Sequence, residues 1–196
     1  NTFAKVLRFE AGFTGNIGGM NTKDDPDAFT GEFQTERDNV FRGNTSLTWM
    51  LNRPWVTNLK FDASVNFNDN LFRYHKYESY ASNQPAVHAE QVGYFLAERL
   101  PLTYFSDQVT DSKELDFAAS FKYNWHKRWD DVKSFLKAGV QWKANGNVGQ
   151  GEYYEDPALA ANGYRPRPYT EYPFMHNLSV YAEEHLTLRS EERRVG

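Results

Sequence analysis

The sequence predicts an all-β fold of antiparallel strands, and two features carry this prediction. Apolar and polar residues alternate strictly in several segments, most clearly in LDFAASFKYNW at 115–125. Because successive side chains of a strand point to opposite faces, this period of two gives one apolar and one polar face. In addition, 16% of the 196 residues are aromatic, and no run of about 18 apolar residues offers a helical membrane span.

Four further segments repeat the alternation with their apolar residues on one face. None of these face positions is charged, although 24% of the chain is. Together with those of 115–125, the apolar sets are Leu7, Phe9, Ala11 and Phe13; Phe41, Gly43, Thr45, Leu47, Trp49 and Leu51; Leu59, Phe61, Ala63, Val65 and Phe67; Leu115, Phe117, Ala119, Phe121, Tyr123 and Trp125; and Leu136, Ala138, Val140, Trp142 and Ala144. A sixth segment, 174–188, alternates until Glu184 interrupts its apolar face, which predicts a β-bulge or a register shift near that residue.

The connections between these strands differ in length in a regular way. Those at 52–55 and 127–133 are short, whereas the long ones cover 18–39, 73–114 and 146–173. In an up-and-down arrangement the short connections lie at one end of the strands and the long polar ones at the other. This asymmetry, with strands near the length of about 9–11 residues that a membrane crossing needs, is typical of an outer-membrane β-barrel. The apolar strand faces are then expected to meet lipid.

Four tryptophans lie beside the short connections, where the aromatic girdle of such a barrel is found. They are Trp49, Trp55, Trp125 and Trp129. A soluble β-sandwich with the same alternation is the alternative. A sandwich would pack its apolar faces against each other and would have turns of similar length at both ends, which the unequal connections disfavour.

Six strands do not close a barrel, because the smallest outer-membrane barrels have about eight. Residues 1–188 are therefore expected to be one part of a larger transmembrane β-barrel. The remaining residues, RSEERRVG at 189–196, correspond to the translation of a nucleotide string that resembles a common sequencing adapter, and a charged, solvated tail is the alternative. They are expected to be non-native and to have no part in the fold.

Two stretches resemble the barrel portion of TonB-dependent outer-membrane receptors. They are LPLTYFSDQVTDSKELDFAASFKYNW at 100–125 and FLKAGVQWKANGNVGQGEYYEDPALAANGYRPRPYTEYPFMHNLSVYAEEHLTL at 135–188. The resemblance covers most of 1–188. It rests on the residue pattern and on short stretches of similar sequence, and not on a catalytic motif. It implies a 22-stranded barrel closed by a plug domain, on which periplasmic TonB pulls to import bulky nutrients such as siderophores, cobalamin or glycans. The plug and the TonB-contacting segment are expected upstream of Asn1.

The resemblance implies a transporter in the outer membrane of a Gram-negative bacterium, and not an enzyme. Its expected partners are outer-membrane lipid, TonB through the missing plug, a small-molecule or glycan cargo, and a surface lipoprotein. A passive porin or structural barrel is the alternative function, and a soluble carbohydrate-binding sandwich is a third. A plug domain encoded upstream in the full gene would favour uptake over the porin.

Residues for nucleic-acid binding, metal binding or catalysis are sparse. The net charge of −4 gives no basic surface for nucleic acid, and the absence of cysteine excludes thiolate metal sites. The five histidines lack the spacing of a zinc-binding motif. The acidic DDPD at 24–27 has oxygen ligands suited to Ca²⁺, but a solvated loop is the better interpretation. We therefore predict no catalytic residue, metal or cofactor.

The long connection at 146–173 is the strongest candidate for ligand binding. Its tyrosines offer flat amphipathic surface, and its arginines offer fixed hydrogen-bond donors. The predicted ligand-binding residues are Tyr153, Tyr154, Tyr164, Arg165, Arg167 and Tyr169. Residues 134–145 run away from a short turn, so this connection is expected at the outer rim of the barrel. The alternative is that these tyrosines only pack the loop against the rim.

Overall fold

The computed structural model describes residues 2–3, 6–23, 31–82, 101–129, 132–160 and 166–188. The strands are β1 (Thr2–Phe3), β2 (Leu7–Asn21), β3 (Phe33–Arg53), β4 (Val56–Ser79), β5 (Thr103–Arg128), β6 (Val132–Asn147), β7 (Gly151–Tyr154) and β8 (Met175–Leu188). Two short 3-10 helices, Pro157–Leu159 and Tyr169–Glu171, lie between β7 and β8. The all-β prediction is confirmed, and the six predicted segments correspond to β2 to β6 and β8. Among the residues described, no helix is long and apolar enough to cross a membrane.

All the strands belong to one antiparallel sheet. The strand order is β1, β2, β3, β4, β5, β6, β8, so each long strand lies beside its neighbour in the sequence. The short strand β7 is off this path and pairs with β5 beyond the end of β6. The long strands therefore form an up-and-down meander, and in the part of the chain described the sheet does not close on itself.

The register of the sheet confirms the predicted apolar faces, because residues paired across neighbouring strands point to the same side. Five consecutive rows of paired residues carry nearly all of the predicted apolar positions, and we call this surface the apolar band. Its rows are Leu7, Trp49, Leu59, Tyr123, Ala138, Ala182; Phe9, Leu47, Phe61, Phe121, Val140, Val180; Ala11, Thr45, Ala63, Ala119, Trp142, Leu178; Phe13, Gly43, Val65, Phe117, Ala144, His176; and Gly15, Phe41, Phe67, Leu115, Gly146.

The apolar band occupies only part of each strand. On β4 it runs from Leu59 to Phe67, which is about 27 Å at about 3.4 Å per residue. The next row on the same side is mostly polar, with Ile17, Asn39, Asp69 and Lys113. Strands β3, β4 and β5 continue well beyond that row, so the predicted strands were too short at this end.

Aromatic side chains gather at the opposite end of the band, where the short turns lie. The indole Nε1 of Trp125 donates to the carbonyl oxygen of Pro54 at 2.7 Å, and the hydroxyl of Tyr123 donates to the carbonyl oxygen of Trp55. Trp125 also meets Trp129 edge to face, with ring centroids 6.1 Å apart. The β3–β4 turn is thus tied to β5 by aromatic residues.

The prediction of a β-bulge or a register shift near Glu184 is wrong. Strand β8 stays in regular register with β6 from Met175 to Leu188, and Glu184 pairs with Leu136. The carboxylate Oε1 of Glu184 accepts a hydrogen bond from the hydroxyl of Ser134 at 3.0 Å. This row lies one step past the apolar band, where a hydrogen-bonded carboxylate fits without a change of register.

Candidate ligand-binding face

The side of the sheet opposite the apolar band is polar, and we call it the polar face. Beside the band, its charged groups bond across the strands. Arg42 Nε donates to Asn66 Oδ1 at 3.3 Å, and Asn66 Nδ2 donates to Asp116 Oδ2 at 3.2 Å. Asp62 accepts from Lys60 at 2.9 Å and from Lys122 at 3.1 Å. This face is therefore suited to water or polar ligands.

A groove of about 780 Å³ crosses the polar face beside the apolar band. Residues of β2 to β6 and β8 line it, and four of them carry amide side chains. The amides are Asn44, Asn66, Asn145 and Asn177, the cations are Arg42 and Lys143, and the anion is Asp116. An amide offers both donors and an acceptor, so this groove can bond hydroxyl groups without a charge.

Strand β4 carries a run of asparagines along the polar face. Asn66, Asn68 and Asn70 are two residues apart and so project on the same side, and we call them the asparagine ladder. Asn70 Nδ2 donates to Glu36 Oε1 at 3.2 Å. The Oδ1 atom of Asn68 is buried and has no hydrogen-bond partner among the described residues.

Beyond the ladder, the polar face carries a row of alternating amides and phenols. The row consists of Gln34, Tyr74, Gln108 and Tyr154, paired in that order across β3, β4, β5 and β7. Gln108 Nε2 donates to the phenolic oxygen of Tyr154 at 2.8 Å. Burial raises the pKa of the Tyr154 phenol, as does the nearby Glu78 carboxylate, so the phenol stays neutral at pH 7. We call these four residues the Gln–Tyr row.

A bulge between β6 and β7 sets which of the predicted tyrosines joins this face. Asn147 pairs with Glu114 and Gly151 pairs with Asp111, so β7 has one extra residue relative to β5. Gly151 has φ of 82°, and a Cβ there would collide with a neighbouring carbonyl. This change of parity turns Tyr154 to the polar face and Tyr153, paired with the buried Val109, to the other side.

Asp111, which is 4% exposed, fixes the position of the bulge through hydrogen bonds of its side chain. Its Oδ2 atom accepts from the Gln150 amide at 3.0 Å and from Lys113 Nζ at 3.0 Å. Burial alone would raise the pKa of this carboxyl, but these two donors hold the pKa below its ordinary value. The first part of the long connection is therefore an ordered extension of the sheet.

The other predicted ligand residues lie farther along the same connection. The Arg167 amide donates to the Glu152 carbonyl at 3.3 Å, so this segment folds back over β7. Burial raises the pKa of Tyr169, and Glu152 adds to the effect. Tyr164 and Arg165 lie outside the described residues, as do the DDPD segment at 24–27 and residues 189–196.

Several polar-face residues were missed at the sequence level. Gln34, Tyr74 and Gln108 are scattered in the sequence and meet only through strand pairing. The asparagine ladder had a signal, since NFNDN at 66–70 places asparagine at every second position. That segment lies at the polar end of the predicted strand, and the alternation was used there only to assign the apolar residues to a face.

Net charge changes sign along the polar face. Beside the apolar band, the cations outnumber the anions: Arg8, Arg42, Lys60, Lys122 and Lys143 against Glu10, Asp62 and Asp116. Beyond the band, the anions predominate among the described residues: Glu36, Asp38, Glu78, Glu114 and Glu152 against Lys76 and Arg167, which pairs with Glu152. Lys76 is neutralised by a neighbouring carboxylate, with its Nζ atom 2.9 Å from Glu78. The part of the face that carries the Gln–Tyr row is therefore acidic.

Comparison with protein-family models, curated proteins and solved structures gave no match. Within the described ranges, no group of three or more His, Asp and Glu side chains is placed to hold a metal ion. The polar face, with its groove, asparagine ladder and Gln–Tyr row, is thus the candidate ligand-binding surface.

Proposed function

We propose that this chain is part of the barrel wall of a TonB-dependent receptor in the outer membrane of a Gram-negative bacterium. Its six long strands would belong to a larger barrel, of 22 strands in the family it resembles. The receptor would import a bulky nutrient of the siderophore, cobalamin or glycan class. The plug that TonB pulls on would be supplied by a part of the protein outside this chain.

The apolar band is the observation that carries this proposal. The side chains of Phe61 and Phe121, on central strands, remain 43% and 46% exposed. Strands of such barrels tilt by about 40°, so a band of about 27 Å along the strand stands about 20 Å high, near the apolar belt of about 25 Å in outer-membrane barrels. An exposed belt of this height matches lipid better than water.

The two ends of the band support the same function. Tryptophans and Tyr123 gather at the short turns, as an interfacial aromatic girdle would. At the other end, the strands continue as polar wall and carry the long connections. Barrels of this kind keep their short turns on the periplasmic side, so the Gln–Tyr row would face the medium. A cargo molecule or a surface lipoprotein would first meet the protein there.

A passive porin is the second candidate, because a polar groove beside a lipid-facing band would also suit the wall of an open channel. The soluble sandwich has less support. It requires a second layer over the apolar band, and among the described residues all strands belong to one sheet.

Two measurements on the full-length protein would test the proposal. First, envelope fractionation should recover the protein with the outer membrane, and recovery in the soluble fraction would contradict the proposal. Second, the purified protein should give no steady conductance in planar lipid bilayers, because a plug closes the receptor. A stable open-channel current would favour the passive porin. The experiment needs no knowledge of the cargo.

A further inference from the structure

We propose that the polar face binds an uncharged, hydroxyl-rich cargo, an oligosaccharide by chemical class, along the asparagine ladder and the Gln–Tyr row. This inference rests on the proposed transport function and narrows its cargo. It depends on three features of the polar face: the spacing of the amides, the tyrosines at one end, and the sign of the surrounding charge.

The asparagine ladder suits a chain of hydroxyl groups. Each amide both donates and accepts, as a sugar hydroxyl does, so the two can pair in either direction. Asn66, Asn68 and Asn70 repeat every two residues, about 6.7 Å apart along β4.

The ladder connects two surfaces with related chemistry. On β4 it leads from Ser64 and the groove through Phe72 to Tyr74 of the Gln–Tyr row, all projecting to the polar face. Aromatic rings offer the C–H faces of sugars an apolar surface, while phenol and amide groups bond the hydroxyls at the ring edge. A linear oligosaccharide would thus find hydrogen-bonding and stacking groups along one continuous path.

The charge of this region disfavours one competing kind of cargo, the anionic siderophore complexes. Beyond the band, the described part of the polar face carries five carboxylates, one ammonium group and the guanidinium of Arg167, a net charge of −3. Ferric chelates of catecholate siderophores are polyanions, which such a wall repels over a screening length of about 8 Å. An uncharged ligand has no such penalty, so the charge favours an oligosaccharide.

The test uses the full-length receptor purified from the outer membrane. The probes are neutral linear glucan, xylan and mannan oligomers of three to eight sugars, and a ferric tricatecholate chelate, with binding measured by calorimetry. We expect at least one oligomer series to bind more tightly as its length grows, and the chelate not to bind. Asn68→Asp keeps the size of the side chain but removes a donor and adds a charge, and Tyr74→Ala removes the aromatic ring. Each should weaken oligomer binding about tenfold or more.

Asn39→Leu is the matched control, since Asn39 is an asparagine on the opposite side of the sheet, paired with Asp69. It should leave oligomer binding unchanged. The inference would be overturned if the chelate binds to the wild-type receptor, if no oligomer binds, or if Asn68→Asp and Tyr74→Ala bind like the wild type. These results leave the transport function standing, whereas a protein that does not fractionate with the outer membrane would overturn that function itself.

Discussion

An arginine at the centre of the apolar band should strongly destabilise the inserted protein. Ala119 lies in the central row of the five, between Ala63 and Trp142. Successive rows are about 6.7 Å apart along a strand, which at a tilt of about 40° gives about 5 Å of depth per row. Ala119 would then lie near the midplane, and Ala138, two rows away, about 10 Å from it. Arginine costs about 2–4 kcal/mol at the midplane and about 0–1 kcal/mol near an interface.

Three substitutions of small residues separate depth and sidedness in one series. Ala119→Arg should lower the free energy of unfolding by about 2–4 kcal/mol, and Ala138→Arg by about 1 kcal/mol or less. Ser120→Arg, on the polar face opposite Asp62, should also cost about 1 kcal/mol or less. The assay is reversible chemical unfolding of the full-length protein in lipid bilayers. Equal losses at Ala119 and Ser120 would refute the assignment of the two faces.

Three further predictions follow from the fold. Residues 1–188 expressed alone should form no soluble monomer, because both edges of the sheet are unpaired among the described residues and the apolar band is uncovered. A monodisperse species without detergent in gel filtration would contradict this. Trp125→Phe should lower the free energy of unfolding by about 1 kcal/mol through the lost hydrogen bond to the turn, whereas Trp129→Phe, used as the control, should cost less. Asp111→Asn should loosen the bulge at Gln150 and speed proteolysis of that segment. In the wild type the pKa of Asp111 is lowered, so its stabilisation of the fold is complete above the ordinary pKa of 3.8 and is lost as the pH falls through the pKa of the folded state.

The sequence predicted the faces of the strands better than their ends. Alternation identified the apolar side from Leu115 to Trp125 because one face there is apolar and the other is polar. Beyond the band both faces are polar, as with Asp69 beside Asn70 on β4, so the pattern no longer marks the strand although the pairing continues. Glu184 was misinterpreted for a related reason, since one carboxylate at the edge of the band resembles a break in the pattern.

The candidate site depended on contacts that no local pattern carries. The 146–173 connection was singled out for its tyrosines, but Gln108 pairs with Tyr154 only because the one-residue bulge shifts the register of β7 against β5. Glycine at 151 was the local hint, since its positive φ suits the bulge. The side that a residue faces after a bulge follows from pairing, and pairing is long-range.

The central claim is that the apolar band faces lipid, and a nitroxide scan of residues 115–125 tests it most directly. Each position of the full-length protein would carry one spin label in lipid bilayers, and collision with oxygen and with a water-soluble nickel chelate would be measured. We predict high oxygen and low nickel accessibility at the odd-numbered positions of the band, such as Phe117, Ala119 and Phe121, and the reverse order at Ala118 and Ser120. Odd-numbered positions closed to oxygen, or two sets with the same accessibility, would contradict a lipid-facing band.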